Sequence, residues 1–239
     1  MTKESNKFEL SAIGEIISPY TEKFAIPRQP GLVTAAKSAI ALSEDCNREE
    51  ILRGLEGFSH IWIVFMFHKA MKADWKPMVR PPRLGGNKKV GVFASRSPFR
   101  PNPVGLSVVA LSHIELHQKR WHIYFEGGDI LNGTPVVDIK PYIPYADSIP
   151  DASGGYAQQS PNTEVKINFS AQAQQRLAEL KLQHPTLQAL IEQVLAQQPQ
   201  PAYQRDQDKT FGMTLYDINI QWRKAGDEII VSDLQQLRV

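Results

Sequence analysis

Residues 106–126 read LSVVALSHIELHQKRWHIYFE, and this stretch decides the fold class. Its two halves, Leu106–Leu116 and Trp121–Glu126, are rich in β-branched and aromatic residues and flank the short polar stretch His117–Arg120. β-branched and aromatic residues favour strands, and a short polar break between two such runs favours a tight connection. The stretch therefore predicts a β-hairpin.

Further strands are predicted on both sides of this hairpin. Phe8–Ile17 and Val136–Ile139 have the composition of strands, and the near-continuous apolar run His60–His68 predicts a strand buried on both faces. A short helix is predicted after Asn47, where Glu50 completes an arrangement like a capping box. Because no strand alternates with a long helix before residue 160, the pattern favours a mainly β barrel or sandwich over a doubly wound parallel sheet.

The segment from residue 69 to residue 103 carries a concentrated positive charge. It holds nine lysines and arginines and a single acid, Asp74, which gives it a net charge of +8 in a chain whose total is +2. Within it, Pro77–Pro103 contains six of the chain's 17 prolines, so loops around one short strand, Val90–Ala94, are predicted there. Such a charge suits a polyanionic or phosphate-bearing partner, and a solvated basic loop is the alternative.

The composition changes after Ala146, and a small α+β unit is predicted at residues 160–239, following a first domain at residues 1–150. A polar connector, Asp147–Thr163, links the two. The predicted elements are a helix capped by Ser170 that runs to about Gln183, a helix that begins near Pro185 and ends before Pro199 and Pro201, and a hairpin of Thr214–Trp222 with Glu228–Val231. The second helix has one apolar face, formed by Leu187, Leu190, Ile191, Val194 and Leu195. Because so small a unit buries little core alone, it is expected to dock on the first domain.

Several classes of protein are excluded by what the sequence lacks. The longest purely apolar run, Ile61–Phe67, has seven residues, whereas a membrane-spanning helix needs about 20. Cys46 is the only cysteine, so neither an intrachain disulfide nor a multi-cysteine zinc site is expected, and no metal site is predicted from the six histidines. No two glycines stand two positions apart, which excludes the Rossmann dinucleotide fingerprint. With a polar start at Met1–Lys7, a cytoplasmic protein without membrane association is expected.

Three groups of residues are candidates for a functional site. The loops Arg83–Gly86 and Arg96–Pro103 combine glycine, which admits a ligand close to the backbone, with proline and arginine, and they predict a binding loop. His68 ends the apolar run, where either a role in a pocket or a structural role fits. Asp138 and Lys140 fall on one face of a short strand, which fits a plain ion pair and a catalytic acid–base pair equally well.

Seven segments together resemble the TsaA-like family. They are Phe24–Gly31, Arg53–Glu56, Phe58–His60, Arg80–Arg83, Gly91–Pro98, Arg100–Pro103 and Gly133–Tyr142. The resemblance covers roughly residues 8–150, and the tail that includes Pro199–Tyr203 is similar to the C-terminal extension of the bacterial members.

The resemblance implies an S-adenosylmethionine-dependent methyltransferase on a single-sheet, non-Rossmann β-barrel. It also implies a homodimer with sites near the interface. The implied reaction is methylation at N6 of threonylcarbamoyladenosine (t6A), the modified base next to the anticodon of threonine-accepting tRNA.

The resemblance further implies which residues hold the cofactor. They are Pro27, Arg28, Gln29, His68, Lys69, Arg96, Leu106, Asp129, Ile130, Leu131, Asn132, Gly133 and Thr134. Where this chain has Asn132 the family commonly has aspartate, so any contribution of a carboxylate at that position is reduced here.

A carboxylate that accepts the proton of the weakly basic acceptor nitrogen would assist the transfer. Asp138 is the predicted acceptor, with Lys140 orienting it or gripping the threonyl carboxylate. The predicted contacts to tRNA phosphates are Arg80, Arg83, Lys88, Lys89 and Arg100.

A second function from another class fits the same composition. A small barrel with basic loops is also typical of a non-catalytic RNA-binding module, and binding of S-adenosylmethionine distinguishes the two. A hydrolase using Ser97 or His68 is a third reading, and no recognisable nucleophile elbow supports it.

Overall fold

The computed structural model describes residues 7–71, 74–161, 163–199 and 209–237. Lys72 of the basic stretch and residues 200–203 of the tail, which include Pro201 and Tyr203, lie outside these ranges. The strands are β1 (Gly14–Ile17), β2 (Lys37–Leu42), β3 (His60–Met66), β4 (Met78–Val79), β5 (Val90–Gly91), β6 (Val104–His117), β7 (Arg120–Glu126), β8 (Pro135–Pro141), β9 (Lys166–Phe169), β10 (Thr210–Leu215), β11 (Ile218–Ala225) and β12 (Glu228–Gln236). The α-helices are α1 (Pro144–Asp147), α2 (Ala171–Leu180) and α3 (Leu187–Ala196).

The first six long strands close on themselves. They hydrogen-bond as a closed barrel in the order β1-β2-β7-β6-β3-β8, with every pair antiparallel and Gly14 of β1 opposite Val136 of β8. Its core is made of branched and aromatic side chains, among them Ile40, Ile63 and Phe65, which are almost completely buried. The predicted mainly β fold is confirmed.

The hairpin predicted from residues 106–126 is confirmed as β6 and β7. His117 pairs with Arg120, and the two residues between them, Gln118 (φ +49°) and Lys119 (φ +66°), both have left-handed backbones. Two left-handed residues are the geometry of a type I′ turn, whose twist matches that of the flanking strands.

The short helix predicted after Asn47 is present in 3₁₀ form, but the predicted capping by Asn47 is wrong. The chain forms short 3₁₀ turns there, and the turn Glu49–Leu52 has Arg48 at its N-cap without a side-chain capping bond. The Asn47 side chain instead reaches the hairpin, where its amide donates to the carbonyl oxygen of Lys119 and its oxygen accepts from the backbone N–H of Trp121, both at 2.8 Å. The long-range partner therefore replaces the local cap.

The hairpin turn gives a test of stability. Replacing Lys119 with glycine is expected to raise the free energy of unfolding by about 1 kcal/mol. In a left-handed backbone the Cβ of an L-residue is too close to the neighbouring carbonyl oxygen, and glycine has no Cβ. The reverse change at a comparable turn, Gly226→Ala (φ +62°), should lower it by a similar amount. Urea unfolding measures both, and a loss of stability in the Lys119→Gly protein would contradict the assignment of strain.

Three strand predictions need correction. The first strand begins at Gly14 and not at Phe8, whose side chain is 85% exposed. β3 is buried on one face only, since its alternate residues point out of the barrel. Of the predicted strand Val90–Ala94, the part Val90–Gly91 is extended and pairs with the unpredicted β4, whereas Val92–Ala94 forms a 3₁₀ turn.

The C-terminal unit, defined as β9–β12 with α2 and α3, has a four-stranded sheet in the order β10-β11-β12-β9. The Ser170 hydroxyl caps α2 by accepting from the N–H of Ala173 at 3.1 Å, as predicted, and the five apolar residues predicted for α3 are all buried. The predicted strand Thr214–Trp222 is wrong: a turn at Tyr216, which has φ +54°, divides it into β10 and β11. No helix within the described ranges is long and apolar enough to span a bilayer.

The C-terminal unit packs against the barrel, as expected. Its core includes Tyr20, Ala25, Val33 and Ala36, which come from the segment between β1 and β2. Tyr20 also forms a β-bridge with Leu215 of β10. The segment between β1 and β2 therefore belongs to both halves of the molecule.

Candidate active site

A cavity of about 580 Å³ opens where several loops meet at one end of the barrel. Its walls come from residues within the segments 23–29, 62–70, 96–107 and 129–134. The strands β3, β6 and β7 begin or end at this rim, so the closed sheet brings together segments that are far apart in the sequence. The volume is in the range of small-molecule sites, about 300–1,000 Å³.

Most of the residues predicted to hold a cofactor meet in this cavity. Those that line it are Pro27, Arg28, Gln29, His68, Lys69, Arg96, Leu106, Asp129, Ile130, Leu131 and Thr134. Asn132 and Gly133 are not among the lining residues. The side-chain oxygen of Asn132 accepts from the backbone N–H of Ser18 at 3.0 Å, and the backbone N–H of Asn132 donates to the carbonyl of Tyr20 at 2.8 Å. Asn132 therefore anchors the turn whose neighbours line the cavity.

Asp129 is the carboxylate in the cavity wall. Burial raises its pKa to about 6, although the hydrogen bond from Ser107, the Asp129 backbone and the charge of Arg96 each lower it. The Ser107 hydroxyl donates to Asp129 Oδ1 at 2.6 Å, which fixes the orientation of the carboxylate. A carboxyl with a pKa near 6 is largely ionised at neutral pH and is more basic than an exposed aspartate, so it is suited to accepting a proton.

Arg96 connects two walls of the cavity. Its Nη1 donates to Oε1 of Gln29 at 2.5 Å, so the basic segment and the loop before β2 are joined across the opening. A guanidinium offers paired donors to a ligand carboxylate. With the apolar side chains of Leu106, Ile130 and Leu131 beside it, the cavity suits a ligand that has both a carboxylate and an apolar ring.

His68 lies at the rim, in a 3₁₀ turn that follows β3. The predicted strand His60–His68 is therefore two residues shorter than expected, because it ends at Met66. Burial lowers the pKa of His68, and the charges of Lys69 and Lys23 lower it further. These effects favour the neutral imidazole, which can donate or accept hydrogen bonds.

Asp138 and Lys140 do not line this cavity. Both are on β8, where their side chains form an ion pair at 2.9 Å and are 48% and 67% exposed. The strand register places them opposite Val64 and Trp62, on the outer surface of the barrel. The same-face ion pair expected from the sequence is therefore present, and a catalytic role of the pair stays a prediction.

The residues predicted to contact tRNA divide into three kinds. Arg80, Lys88 and Lys89 are exposed on the basic segment. Arg100 instead lines the cavity, and Arg83 donates to the carbonyl of Gln159 in the predicted connector. The connector thus lies across the basic segment, and a second contact, from the Tyr156 hydroxyl to the carbonyl of Ala94 at 3.1 Å, holds it there.

Sequence reasoning missed Ser107 and the aromatic wall formed by Phe65 and Phe67. Ser107 is a buried polar residue in a strand whose neighbouring inward-facing residues are apolar. A single polar residue among apolar inward-facing ones was the signal that the sequence offered for a site residue. The aromatic pair lies within the apolar run 60–68, where the composition does not distinguish a residue of the hydrophobic core from one that lines a cavity.

Comparison with known proteins gives matches along nearly the whole chain. Residues 15–148 match the tRNA-methyltransferase O (TrmO) N-terminal domain, and residues 162–237 match the TrmO C-terminal domain. The tRNA (adenine(37)-N6)-methyltransferase of Escherichia coli (strain K12) is 48% identical over 228 residues, which cover 94% of this chain and 97% of that protein. The putative S-adenosylmethionine-dependent methyltransferase RcsF of Pseudomonas aeruginosa is 43% identical over 224 residues, or 92% and 94% of the two chains. A crystal structure of TrmO from P. aeruginosa superposes with a TM-score of 0.81 at 38% identity and covers 98% of this chain and 99% of that one.

Proposed function

Because this chain belongs to the TrmO family of tRNA methyltransferases, we propose that it transfers a methyl group from S-adenosylmethionine to N6 of adenine 37 in tRNA. The proposed acceptor is the threonylcarbamoyl form of that base, t6A, in threonine-accepting tRNA. The observation that carries the proposal is the cavity, in which the carboxylate of Asp129 and the guanidinium of Arg96 face a common space beside apolar walls.

The residues of the cavity fit S-adenosylmethionine. Arg96 would hold the carboxylate of its methionyl part, and Leu106, Ile130 and Leu131 would contact its adenine ring. The backbone of the loop that contains Pro27 offers polar groups for the ribose. When bound, the cofactor supplies an electrophilic methyl group on a sulfonium.

We propose Asp129, rather than Asp138, as the group that accepts the N6 proton. Asp129 lies in the cavity wall with a raised pKa and a carboxylate oriented by Ser107, whereas Asp138 pairs with Lys140 on the outer surface. The resemblance implied a cofactor contact for Asp129. Its buried, basic carboxylate supports proton transfer, and general-base assistance of this kind contributes about 10²–10⁴ in rate.

The exposed cations of the basic segment support tRNA binding. Each lysine or arginine that neutralises a phosphate releases counterions, so tRNA affinity should fall steeply as salt rises. The double variant Lys88→Gln with Lys89→Gln is expected to reduce the slope of log K against log salt by about 2. Filter binding at several salt concentrations measures the slope. Lys181→Gln, at the exposed residue that follows α2, is the control that should leave the slope unchanged. An unaltered slope in the double variant would remove Lys88 and Lys89 from the interface.

A homodimer is proposed on the basis of an apolar face of the barrel at the mouth of the cavity. Val64 is opposite Leu106, and Trp62 is opposite Val108, so that four apolar side chains share a surface where Leu106 is 52% exposed. Trp62 and Leu106 also line the cavity, so a partner that covered this face would lie next to the site. Covering such a face would remove apolar area from water. Light scattering of the purified protein measures its molar mass in solution and so tests the dimer.

A cytoplasmic location is proposed because the proposed substrate is tRNA.

The proposed division of labour places catalysis in residues 1–150 and a supporting extension in residues 160–239. The alternative, a non-catalytic RNA-binding barrel, differs in one measurable property. Calorimetric titration with S-adenosylmethionine and S-adenosylhomocysteine should show binding in the micromolar range if the protein is a methyltransferase. A folded protein that binds neither ligand at millimolar concentration would favour the RNA-binding module.

A further inference from the structure

The segment Pro19–Ala36 has the proposed cofactor cavity on one side and the C-terminal unit on the other. Its residues Lys23 and Pro27–Gln29 line the cavity. Its residues Tyr20, Ala25 and Val33 are completely buried in the core of the C-terminal unit. A single stretch of chain is therefore both a wall of the site and part of a distant core.

Ile26 is the point where the two environments meet. Its side chain lines the cavity and also packs against the core of the C-terminal unit. A smaller cleft lies on the other side of the same loop, where residues 23–28 face Val194 and Gln197 at the end of α3. The position of the loop thus depends on where α3 lies.

Polar contacts from the C-terminal unit anchor both ends of the segment. At its start, the N–H of Thr214 donates to Glu22 Oε1 and the N–H of Tyr216 donates to the carbonyl of Pro19, both at 2.7 Å. At its end, the N–H of Ala35 donates to Oε1 of Gln193 at 2.9 Å. The loop that lines the cavity is therefore held at both ends by hydrogen bonds to the C-terminal unit.

The same anchoring extends to the opposite wall of the cavity. The carbonyl of Tyr20 accepts from the N–H of Asn132, and the Ser18 hydroxyl donates to the carbonyl of Ile130 at 2.8 Å. Tyr20 is bridged in turn to Leu215 of β10. The turn that carries Asp129 and Ile130 is in this way connected to the C-terminal sheet through two residues.

We infer that the C-terminal unit positions the cofactor-binding loop Lys23–Gly31, with Gln193 and Glu22 as positioning residues that touch neither cofactor nor tRNA. This inference rests on the proposed function, since it assigns the loop to S-adenosylmethionine. Loss of an anchor should leave the cavity residues in place but let the loop sample more conformations. Cofactor affinity then falls because part of the binding free energy is used to order the loop.

The test compares variants at Gln193 with a matched change on the same helix. Gln193→Ala removes the side-chain bonds to the N–H of Ala35 and to the Thr34 hydroxyl. It is expected to raise the Kd for S-adenosylhomocysteine by about three- to tenfold and to leave kcat at saturating S-adenosylmethionine unchanged. Gln188→Ala removes the same side chain from the exposed face of α3, where it bonds only to Glu192, and should leave Kd unchanged. Gln193→Glu keeps an oxygen that accepts from Ala35 and should restore the affinity.

A second readout needs no ligand. In the Gln193→Ala protein, backbone amides of residues 23–31 should exchange with deuterium faster than in the parent protein, while those of β3 and β6 exchange at the parent rate. Glu22→Ala should have the same effect from the other anchor. Unchanged exchange in residues 23–31, or equal changes in Kd for the Gln193→Ala and Gln188→Ala proteins, would overturn the inference. Failure of the parent protein to bind S-adenosylhomocysteine would instead overturn the proposed function.

Discussion

Replacing Asp129 with asparagine is expected to lower kcat by about 10²–10⁴, because an amide fills the same space and cannot accept the acceptor's proton. The Kd for S-adenosylmethionine should change little, since the amide oxygen still accepts the hydrogen bond from Ser107. Single-turnover kinetics with t6A-containing tRNA separates the two effects. The parent enzyme's kcat should rise with pH through an apparent pKa of about 6, as Asp129 loses its proton.

Asp129→Asn, which lowers kcat, is expected to raise the free energy of unfolding at pH 7. The folded-state pKa of Asp129 is raised from 3.8 to about 6, so keeping the carboxylate ionised at pH 7 costs the folded state about 3 kcal/mol. The parent protein regains this stability as the pH falls through the folded pKa towards the unfolded one. Asp129→Asn should therefore be the more stable protein at pH 7 and lose that advantage on acidification, as urea unfolding at the two ends of this range would show.

Asp138 provides the competing assignment. Asp138→Asn breaks the exposed ion pair with Lys140 and should retain most of the turnover, because the pair lies on the outer surface. A fall in kcat in the Asp138→Asn protein with full activity in the Asp129→Asn protein would reverse the assignment of the proton acceptor. A rise in the Kd for the cofactor as the main effect of Asp129→Asn would return Asp129 to the role implied by the family resemblance.

Removing the guanidinium of Arg96 is the change expected to affect cofactor binding most. Arg96→Ala should raise the Kd for S-adenosylmethionine by about 10–100-fold, the usual effect of losing a charge-assisted hydrogen bond in a partly enclosed site. It also releases Gln29, to which Arg96 donates across the cavity. Arg80→Ala is the matched control: Arg80 is exposed on the same basic segment and is absent from the cavity lining, so cofactor affinity should be kept and only tRNA affinity reduced. Calorimetric titration of both variants measures this, and equal affinities would remove Arg96 from the cofactor site.

Local sequence predicted the parts of the fold that local interactions stabilise. The β6–β7 hairpin and the apolar face of α3 are examples, because each has a periodicity that is complete within one element. β2 went unpredicted because its sequence, KSAIAL, has little β propensity and is held by pairing with β1 on one side and β7 on the other. Asn47 was misread as a helix cap because its partners are 72 and 74 residues away.

For the site, the sequence indicated which residues line the cavity but not which carboxylate is buried there. The family resemblance implied most of the residues that line the cavity, whereas residue types alone indicated only the loops Arg83–Gly86 and Arg96–Pro103. The distinction between Asp129 and Asp138 required the structure, because the sequence does not show that Asp129 is buried in the cavity wall while Asp138 is half exposed in an ion pair. Inward and outward positions on a closed sheet are set by strand register, which the sequence of one strand does not specify.

The most direct measurement of the central claim is mass spectrometry of nucleosides from tRNA incubated with this protein and S-adenosylmethionine. Threonine-accepting tRNA that carries t6A is compared with the same tRNA transcribed without the modification. We predict that the t6A nucleoside gains one methyl group at N6, that the unmodified transcript gains none, and that the Asp129→Asn protein leaves both unchanged under the same conditions. Tight tRNA binding by a folded protein with no methyl transfer to t6A would contradict the claim and leave a binding module in its place.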